Sequence, residues 1–466
     1  MTQPNIVFLF SDQQRWDTCG CYGQPLKITP NLDRMATEGV RFENAFACQP
    51  VCGPARACLQ TGKYATEVTC HTNHRMLPLD EKTIAHYLKE KGYDTAYIGK
   101  WHLASFGKHD GADDFRIRPV PPERRGGYDY WLASDTLEFT SHSYDGYMFD
   151  GDGNKRAFPE GRYRVDAQTD WVIEYLQSRK ENGKPFFLFA SYIEPHHQND
   201  HGHYEGPHGS KERFKDFVTP GDLDETAGDW REEYPDYLGC INSLDRNVGR
   251  IKDTLETLGI GDNTLVIYTS DHGSHFRTRN GEYKRSCHDG CIRIPMILHG
   301  PGFTGGAVRR EMVSLIDLPP TILNAAMPPV DDRLCPLRIM RGRPLQQLVS
   351  ERARDWPEEV FLQISESQCG RAIRTQKWKY SIRAPHKSGS DPSSDDYVED
   401  FLYDLEADPH ERNNLVADPD FRDIRKTLAR KLKQRMVEAG EGEPEIQEKT
   451  EAISEPAGAG DACQRA

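Results

Sequence analysis

Polar residues able to carry acid–base or metal chemistry follow directly after four short apolar runs of this chain. They are, in chain order, Asp12 and Gln13, Lys100 and His102, His196 and His197, and Asp271 and His272. In open α/β sheets, ligands bind beyond the carboxyl ends of the strands. If the apolar runs are such strands, carboxylates, imidazoles and an ammonium group meet in one crevice. Each residue taken alone could be an ordinary loop residue, but the repetition in four segments favours a site.

Two acidic residues and one imidazole in this set suit a hard divalent cation. Asp12, Asp271 and His272 offer carboxylate and imidazole ligands, a set that favours Ca²⁺, Mg²⁺ or Mn²⁺ over zinc. Gln13 could add a neutral oxygen ligand or could orient a neighbouring residue, and the sequence leaves both readings open.

A thiol and a guanidinium group lie one helical turn apart in the segment Cys52-Gly-Pro-Ala-Arg56. The proline near its beginning predicts a helix start. A helix N-terminus favours anions and lowers the pKa of a thiol, and Arg56 adds a fixed positive charge. The simpler alternative is a buried cysteine beside a helix start.

The elements that must position these residues alternate between short strands and amphipathic helices. Strands are predicted at residues 6–10, 95–98, 186–190 and 265–269, and helices at residues 30–38, 84–91, 165–176 and 241–258. This alternation predicts an α/β domain with a largely parallel sheet. Residues 104–160 and 197–233 resist assignment and are rich in Gly, His, Asp and aromatic residues, so we expect long loops or insertions near a site.

The character of the chain changes after about residue 350. Residues 372–382 and 397–405 predict antiparallel strands, and residues 424–437 predict a basic amphipathic helix. The remaining tail has no periodicity, so we expect it to be disordered. The predicted organisation is a catalytic domain at 1–355, a smaller α+β domain at 356–440 and a disordered tail at 441–466.

Composition excludes several classes of protein. The chain has 59 Lys and Arg against 73 Asp and Glu, a formal net charge of -14, which argues against a protein that coats nucleic acid. No run approaches the ~20 apolar residues of a membrane helix. The first residues lack a signal-peptide pattern, which predicts a cytoplasmic protein, or a periplasmic or secreted one if a leader has been removed. The 12 cysteines are scattered and form neither a small disulfide scaffold nor a zinc module.

Motifs along nearly the whole chain resemble those of the formylglycine-dependent (type I) sulfatases. They are Cys52-Gly-Pro-Ala-Arg56 with Leu59-Gln-Thr-Gly62, Gly99-Lys-Trp-His-Leu103, Pro195-His196, Ser270-Asp-His-Gly273, Lys284 with Arg293-Ile-Pro295, Ser314-Leu-Ile-Asp317, Leu402-Tyr-Asp-Leu405, Asp408-Pro-His-Glu411 and Asn414-Leu415. The resemblance implies an alkaline phosphatase-like α/β domain, followed by a smaller domain with an antiparallel sheet.

The resemblance also implies a mechanism. A separate formylglycine-generating enzyme would oxidise Cys52 to formylglycine (3-oxoalanine). One hydroxyl of the hydrated aldehyde would attack sulfur, and the other would expel sulfate and regenerate the aldehyde. A cation held by Asp12, Asp271 and His272, with residue 52 as a further ligand, would lower the pKa of the attacking hydroxyl.

The remaining roles carry over residue by residue from the family. Arg56 would hold the formylglycine hydrate, and Lys100 and Lys284 would neutralise the sulfate oxygens. His102 would be the base that collapses the sulfated intermediate, and His196 would protonate the leaving alcohol. His197 competes for that last role, but His196 follows Pro195 as in the family.

Departures from the family concern the metal and the substrate. Gln13 stands where a second aspartate is common, which lowers the ligand charge. His288 lies where relatives often carry a different residue, so it could face the substrate, although core packing is the simpler expectation. The loop with His74 and Arg75, and the loop that starts at His197, could line the leaving-group side. Polar, His-rich loops suit a carbohydrate sulfate better than a flat aryl group.

Two alternatives to a sulfatase are open at this point. A phosphonate or phosphate monoester hydrolase could use the same scaffold, but Lys100 and His102 favour a sulfate monoester. A non-catalytic glycan-binding relative would have lost the nucleophile or a metal ligand, and both are present here.

Overall fold

A computed structural model describes residues 3–107, 111, 114–180, 183–326, 339–350 and 353–449 of the chain. These residues form a ten-stranded mixed sheet and a separate five-stranded sheet. The strands of the large sheet are β1 (Asn5–Ser11), β2 (Val40–Phe46), β3 (Asp94–Lys100), β4 (Tyr130–Ser134), β5 (Tyr147–Asp150), β6 (Lys155–Ala157), β7 (Phe186–Ser191), β8 (Thr264–Ser270), β9 (Met296–His299) and β10 (Ala307–Ser314). Their order is β10-β2-β9-β8-β1-β7-β3-β4-β5-β6.

The centre of the large sheet consists of four neighbouring parallel strands. β1 pairs with β7 on one side and with β8 on the other, and β7 also pairs with β3. Their residues are buried on both faces, which explains why they occur as continuous apolar runs in the sequence. The predicted α/β fold with a largely parallel sheet is confirmed, and the four strands end side by side.

Helices cover both faces of the large sheet. The helices among the described residues are α1 (Pro30–Glu38), α2 (Cys52–Thr61), α3 (Ile84–Glu90), α4 (Arg164–Ser178), α5 (Ser210–Arg213), α6 (Trp230–Thr257), α7 (Asp289–Ile292), α8 (Leu318–Ala326), α9 (Gln346–Val349) and α10 (Arg422–Glu438). Side chains of α2, α3 and α8 share one apolar core, whereas those of α1, α4 and α6 share the core on the opposite face. α1 begins with its proline and ends at Gly39, as predicted.

The structure corrects two predictions about unassigned stretches. Residues 104–160 are not simply a loop, because they contribute β4, β5 and β6 at the edge of the large sheet. These strands are three to five residues long, too short to show a periodic pattern. The helix predicted at 241–258 begins earlier, at Trp230, and contains Pro235, so the second unassigned stretch is shorter than expected.

The smaller sheet follows the large one in the chain. Its strands are β11 (Glu359–Ile364), β12 (Gly370–Thr375), β13 (Trp378–Arg383), β14 (Asp396–Asp404) and β15 (Glu445–Gln447), in that order across the sheet. β11 to β14 are antiparallel, and α10 packs on this sheet. The strand predicted at 372–382 is a hairpin of two strands.

Part of the segment predicted to be a disordered tail has regular structure. β15 pairs in parallel with β14, so backbone hydrogen bonds hold this short polar strand without an apolar pattern. The rest of the predicted tail, residues 450–466, lies outside the described residues. In the described part of the chain, no helix combines the length and apolar character needed to cross a membrane.

A buried group of charges joins α7 to the smaller sheet. The Nζ of Lys379 lies 2.5 Å from Oδ1 of Asp289 and also pairs with Glu411. Arg374 lies 3.0 Å from the other oxygen of Asp289. The Lys379 side chain is fully buried, so its ammonium group, and not water, neutralises the charges of the two carboxylates.

Replacing Lys379 with methionine is expected to lower the free energy of unfolding by about 3–5 kcal/mol. The change leaves two buried carboxylates without their shared ammonium group, which is the costly way to break a buried ion pair. Urea unfolding followed by circular dichroism measures the loss. A loss below about 1 kcal/mol would show that this group contributes little to joining the sheets.

Candidate active site

The ends of the four central strands deliver the predicted polar residues to one buried location. Asp12 and Gln13 follow β1, Lys100 is the last residue of β3, and Asp271 follows β8. The Lys100 position depends on Gly99, which has φ +121° and whose Cβ would lie 1.9 Å from a backbone oxygen of β7. Only glycine fits there, so this residue sets the close approach of two central strands.

Four potential metal ligands lie together at these strand ends. One ligand atom from each of Asp12, Cys52, Asp271 and His272 falls within 4.8 Å of the others. The Cys52 Sγ atom is 3.4 Å from Oδ1 of Asp12 and 3.3 Å from Nε2 of His272. Nδ1 of His272 lies 2.9 Å from the carbonyl of Gly273, which keeps the proton on Nδ1 and directs the Nε2 lone pair at the cluster.

The charges of the two carboxylates show that this cluster fits a cation. Burial, followed by the neighbouring Asp12, raises the pKa of Asp271 to about 7. Oδ2 of Asp271 is buried and accepts no hydrogen bond within the described residues, and its nearest cation is Arg56 at 3.6 Å. A divalent ion would relieve the repulsion and give this oxygen a partner.

Gln13 is positioned beside the same cluster. Its backbone N–H donates to Oδ1 of Asp271 at 2.9 Å, and its side-chain amide nitrogen donates to the Tyr204 hydroxyl at 2.6 Å. The residue has φ +71°, a conformation that a non-glycine residue adopts only when its surroundings impose it. Because the amide nitrogen is used in this way, the amide oxygen is the atom available to a cation.

Three basic side chains surround Asp12 and Cys52. Arg56 and Lys100 lie 2.9 Å and 3.0 Å from Oδ2 of Asp12. Lys284 lies 2.8 Å from the Cys52 sulfur. Burial alone would raise the pKa of Asp12, but Lys100, His196, Arg56 and Lys284 together hold it well below the usual value. Asp12 is therefore ionised and can serve as a permanent anionic ligand.

The thiol of Cys52 differs from the sequence-based expectation. Cys52 is the first residue of α2, and such a position was expected to lower its pKa. Instead, complete burial and the nearby Asp12 raise the pKa to about 12, against the opposing effects of Lys284 and Lys100. The helix rule fails here because desolvation outweighs it. The unmodified side chain is a neutral thiol and a weak nucleophile at pH 7.

Two histidines beyond β7 occupy different environments. Nε2 of His196 lies 3.0 Å from the Lys284 ammonium, and burial together with Lys284 and Lys100 keeps its pKa well below the usual value. His197 packs between Tyr204 and Tyr283, with ring centroids 5.2 Å and 4.3 Å away. Burial lowers the pKa of His197 to about 4. His196 is thus the one that contacts the basic side chains of the site.

His102 is buried at the end of β3 without a hydrogen-bond partner. Neither of its ring nitrogens has one among the described residues, and burial followed by Lys100 lowers its pKa. Its ring centroid lies 5.8 Å from that of His74, whose Nδ1 also has no partner there. The unpaired ring nitrogens of these two histidines are available to form hydrogen bonds with a polar substrate.

Two of the residues proposed to contact substrate have other partners. Arg75 donates to the Thr72 hydroxyl at 3.1 Å. His288 lies 3.2 Å from the Ser286 hydroxyl and 3.1 Å from that of Tyr403, and its ring also packs against Phe401 of the smaller sheet. The structure therefore places His288 in the packing between the two sheets, which was the simpler expectation from the sequence.

Sequence reasoning missed several residues that support the site. Glu138 lies 3.1 Å from the Lys100 ammonium. Ser191, the last residue of β7, accepts a hydrogen bond from Arg56 at 2.8 Å. Like the predicted site residues, it lies at the carboxyl end of a central strand. Glu366, after β11, accepts from the backbone N–H of Asn73 at 2.6 Å, and Asn73 in turn accepts from the backbone N–H beside Cys52 at 2.9 Å.

Comparison with known protein families agrees with this geometry. The family model described as Sulfatase matches residues 4–327, more than half of the chain. The chain belongs to the sulfatase family. A second family model, described as N-sulphoglucosamine sulphohydrolase, C-terminal, matches residues 281–438. The enzyme is therefore a sulfuric ester hydrolase, and sulfatases of this family generally use a metal and a formylglycine.

Individual relatives cover nearly the whole sulfatase chain. It is 30% identical to the ulvan-active sulfatase of Formosa agariphila, over 94% of this chain and 82% of that protein. It is 25% identical to the N-acetylglucosamine-6-O-sulfatase of Bacteroides thetaiotaomicron, over 96% and 88%. A crystal structure of a Bacteroides fragilis protein named as a sulfatase superposes with a TM-score of 0.80 at 26% identity, over 94% and 96%.

The scaffold is also shared with an enzyme that acts on phosphonates. The phosphonate monoester hydrolase of Agrobacterium radiobacter superposes with a TM-score of 0.66 at 21% identity, over 94% and 96% of the two chains. At this identity the likeness concerns the fold alone. The family model and the relatives named as sulfatases favour sulfate over phosphonate hydrolysis for this chain.

Proposed function

We propose that this sulfatase hydrolyses a carbohydrate sulfate with a formylglycine formed from Cys52 and with a divalent cation, Ca²⁺ in the first instance. The observation that carries the proposal is the position of the Cys52 side chain, in contact with Asp12, His272 and Lys284 at once. The first residue of α2 thus adjoins two cation ligands and an ammonium group. A neutral thiol is a weak nucleophile beside these groups, whereas a hydroxyl of a hydrated aldehyde can bind the cation and attack the substrate.

The modification and the cation supply the chemistry that the unmodified chain lacks. A hydrated aldehyde offers a hydroxyl nucleophile with a built-in route for release of sulfate, and a bound cation acidifies that hydroxyl and polarises the ester. Asp12, Asp271 and His272 would hold the cation, with the Gln13 oxygen as a further ligand. Hard oxygen ligands favour Ca²⁺, Mn²⁺ or Mg²⁺. The aldehyde requires a formylglycine-generating enzyme as a partner during biosynthesis.

Removal of the cation is expected to abolish activity reversibly. Incubation with a chelator and gel filtration should reduce turnover of an aryl sulfate to background, because Arg56, although it contacts both Asp12 and Asp271, cannot acidify the attacking hydroxyl as a divalent cation would. Calcium, manganese and magnesium are then added back separately. We expect calcium to restore the most activity, and full activity after exhaustive chelation would contradict the metal assignment.

Arg56 would hold the formylglycine hydrate, and Lys100 and Lys284 would bind the sulfate group. Arg56 has a fixed direction, because it also donates to the Lys100 carbonyl and to Ser191, both at 2.8 Å. The Lys284 ammonium lies 2.8 Å from the Cys52 sulfur, and that of Lys100 lies 3.0 Å from Asp12, which itself contacts Cys52. Fixed positive charges in a buried site stabilise developing negative charge more strongly than water does.

His196 would donate a proton to the leaving alcohol. In the free protein, burial and then the Lys284 ammonium hold the pKa of His196 well below its usual value, so the imidazole is neutral. A bound sulfate brings negative charge next to Lys284 and so favours the protonated imidazole. His102, whose ring nitrogens have no hydrogen-bond partner among the described residues, would be the base that accepts a proton when sulfate is released.

Replacing His196 with alanine should affect substrates according to their leaving groups. Turnover of a sugar sulfate, whose alcohol is a poor leaving group, should fall about 10²–10⁴-fold. Turnover of 4-nitrophenyl sulfate should fall much less, since nitrophenolate leaves without a proton. His197→Ala is the matched control and should show no such difference. Equal losses on both substrates would exclude His196 as the acid.

The carbohydrate preference follows from the polar surroundings and the relatives. His74 and His102 present unused imidazole nitrogens, which suit hydroxyl groups better than an aromatic ring. A screen of sulfated mono- and oligosaccharides alongside aryl sulfate and aryl phosphonate tests the class. We expect a saccharide sulfate to have the highest kcat/KM. A phosphonate as the best substrate would support the alternative hydrolase instead.

A further inference from the structure

A second cluster of metal-binding side chains lies on the surface, away from the strand ends. It comprises His142, Asp200 and His201, and one ligand atom of each lies within 4.8 Å of the others. Nε2 of His142 is 2.9 Å from Oδ2 of Asp200. The rings of His142 and His201 are stacked, with centroids 4.2 Å apart and an interplanar angle of 11°. Two segments 58 residues apart thus bring their polar atoms together.

Carboxylates outside the cluster fix the orientation of both imidazoles. Nδ1 of His142 lies 2.9 Å from Oδ1 of Asp145, and Nδ1 of His201 pairs with Glu205. Each contact favours a proton on Nδ1, so Nε2 is the atom that each ring would present to a metal ion; in His142 this atom already faces Oδ2 of Asp200 at 2.9 Å. Metal-binding histidines characteristically donate their second nitrogen to a carboxylate in this manner, which orients the ring and raises its basicity.

The outer groups are themselves held in place. Glu205 accepts from the Ser143 hydroxyl at 2.7 Å and from the Ser143 backbone N–H at 3.2 Å. The second oxygen of Asp200 accepts from the Gln198 amide at 2.7 Å, so Oδ2 is left for the cluster. The site is also accessible, because side-chain exposures are 33% for His142, 45% for Asp200 and 40% for His201.

We propose that His142, Asp200 and His201 form a binding site for a single Zn²⁺ ion, distinct from the catalytic cation. Two imidazole nitrogens and one carboxylate oxygen are the ligand types that zinc prefers, and they leave a fourth tetrahedral position for water. Ca²⁺ and Mg²⁺ favour sites made of oxygen ligands. We therefore expect zinc at the histidine-containing surface cluster and calcium at the catalytic cluster.

A zinc ion at this position would restrict the motion of the loop that follows His196 and carries Asp200 and His201. Gln198, in this loop, donates to the carbonyl of Glu138 at 3.1 Å as well as to Asp200. Glu138 in turn pairs with Lys100 of the active site. The ion would thus join the loop to the segment that carries His142, and we expect it to raise the melting temperature of the protein.

The test is a zinc titration of the full chain against a chromogenic chelator, with excess Ca²⁺ present to occupy the catalytic cluster. We expect one zinc per chain. His142→Ala and His201→Ala should each weaken binding more than 100-fold, and Asp145→Asn should weaken it about 10–100-fold, as expected for an outer carboxylate. The matched control is His208→Ala, an exposed histidine nearby that stacks on Tyr144; it should bind zinc as the unaltered protein does.

Cobalt substitution distinguishes this site from the cysteine of the catalytic cluster. Co²⁺ bound by nitrogen and oxygen should show d–d bands without a thiolate charge-transfer band. Absence of zinc binding in the presence of Ca²⁺, unchanged binding in both histidine variants, or a dominant thiolate band would each overturn the proposal. Because Asp200 and His201 are exposed and His142 is partly exposed, the substitutions should leave the fold intact, which circular dichroism checks.

Discussion

Replacing Cys52 with alanine is expected to lower kcat on the order of 10⁴-fold or more, the loss typical of removing a catalytic nucleophile. The reason is that residue 52 supplies the only side chain in contact with Asp12, His272 and Lys284 together, within the described part of the chain. The metal and the basic residues would remain and give a small residual rate. Initial rates on an aryl sulfate, with protein produced beside a formylglycine-generating enzyme, measure the effect.

The control for this substitution lies in the same helix. Cys58 is equally buried, but its side chain belongs to the apolar core. Cys58→Ala should lose some stability through a small cavity and keep its activity within a few-fold. If both variants were equally inactive, the loss would reflect packing of α2. If Cys52→Ala kept most of its activity, residue 52 would not be the nucleophile.

Replacing Asp12 with asparagine is expected to weaken the catalytic cation more than about 100-fold and to abolish turnover at ordinary metal concentrations. Asp12 is fully buried and is the shared partner of Arg56 and Lys100. Its neutralisation leaves those cations less compensated, so the free energy of unfolding should fall by up to about 3–5 kcal/mol. Calcium titration by calorimetry and urea unfolding measure the two effects.

Asp17→Asn serves as the matched control for Asp12. Asp17 lies in the same segment and also pairs with a buried arginine, Arg15, at 2.6 Å, but it belongs to none of the potential metal clusters among the described residues. We expect normal calcium affinity and activity in this variant. An Asp12→Asn protein that bound calcium normally would show that the cation lies elsewhere.

The parts of the fold and site that the sequence predicted depend on local patterns. The central strands are continuous apolar runs because both of their faces are buried, and glycine and proline mark the ends of α1. Parallel strands end at one edge, so the order of residues along the chain was enough to bring Asp12, Lys100 and Asp271 together.

The parts that escaped prediction depend on contacts between distant segments. Glu138 reaches Lys100 from a stretch whose strands are too short for a periodic pattern. Glu366 contacts Asn73 across 293 residues and from the other sheet. The pKa of Cys52 depends on complete burial, which the helix position does not indicate. β15 is three residues long and contributes one apolar side chain, Ile446, to the core beside its backbone pairing, too little for a pattern in the sequence.

The most direct test of the account is mass spectrometry of the peptide that contains Cys52, combined with activity measured on the same preparations. Preparations with different degrees of conversion are obtained by varying the amount of coproduced formylglycine-generating enzyme. We expect specific activity to rise in proportion to the fraction of aldehyde at residue 52, with a line through the origin. Full activity in protein that carries only the thiol at this position would contradict the account.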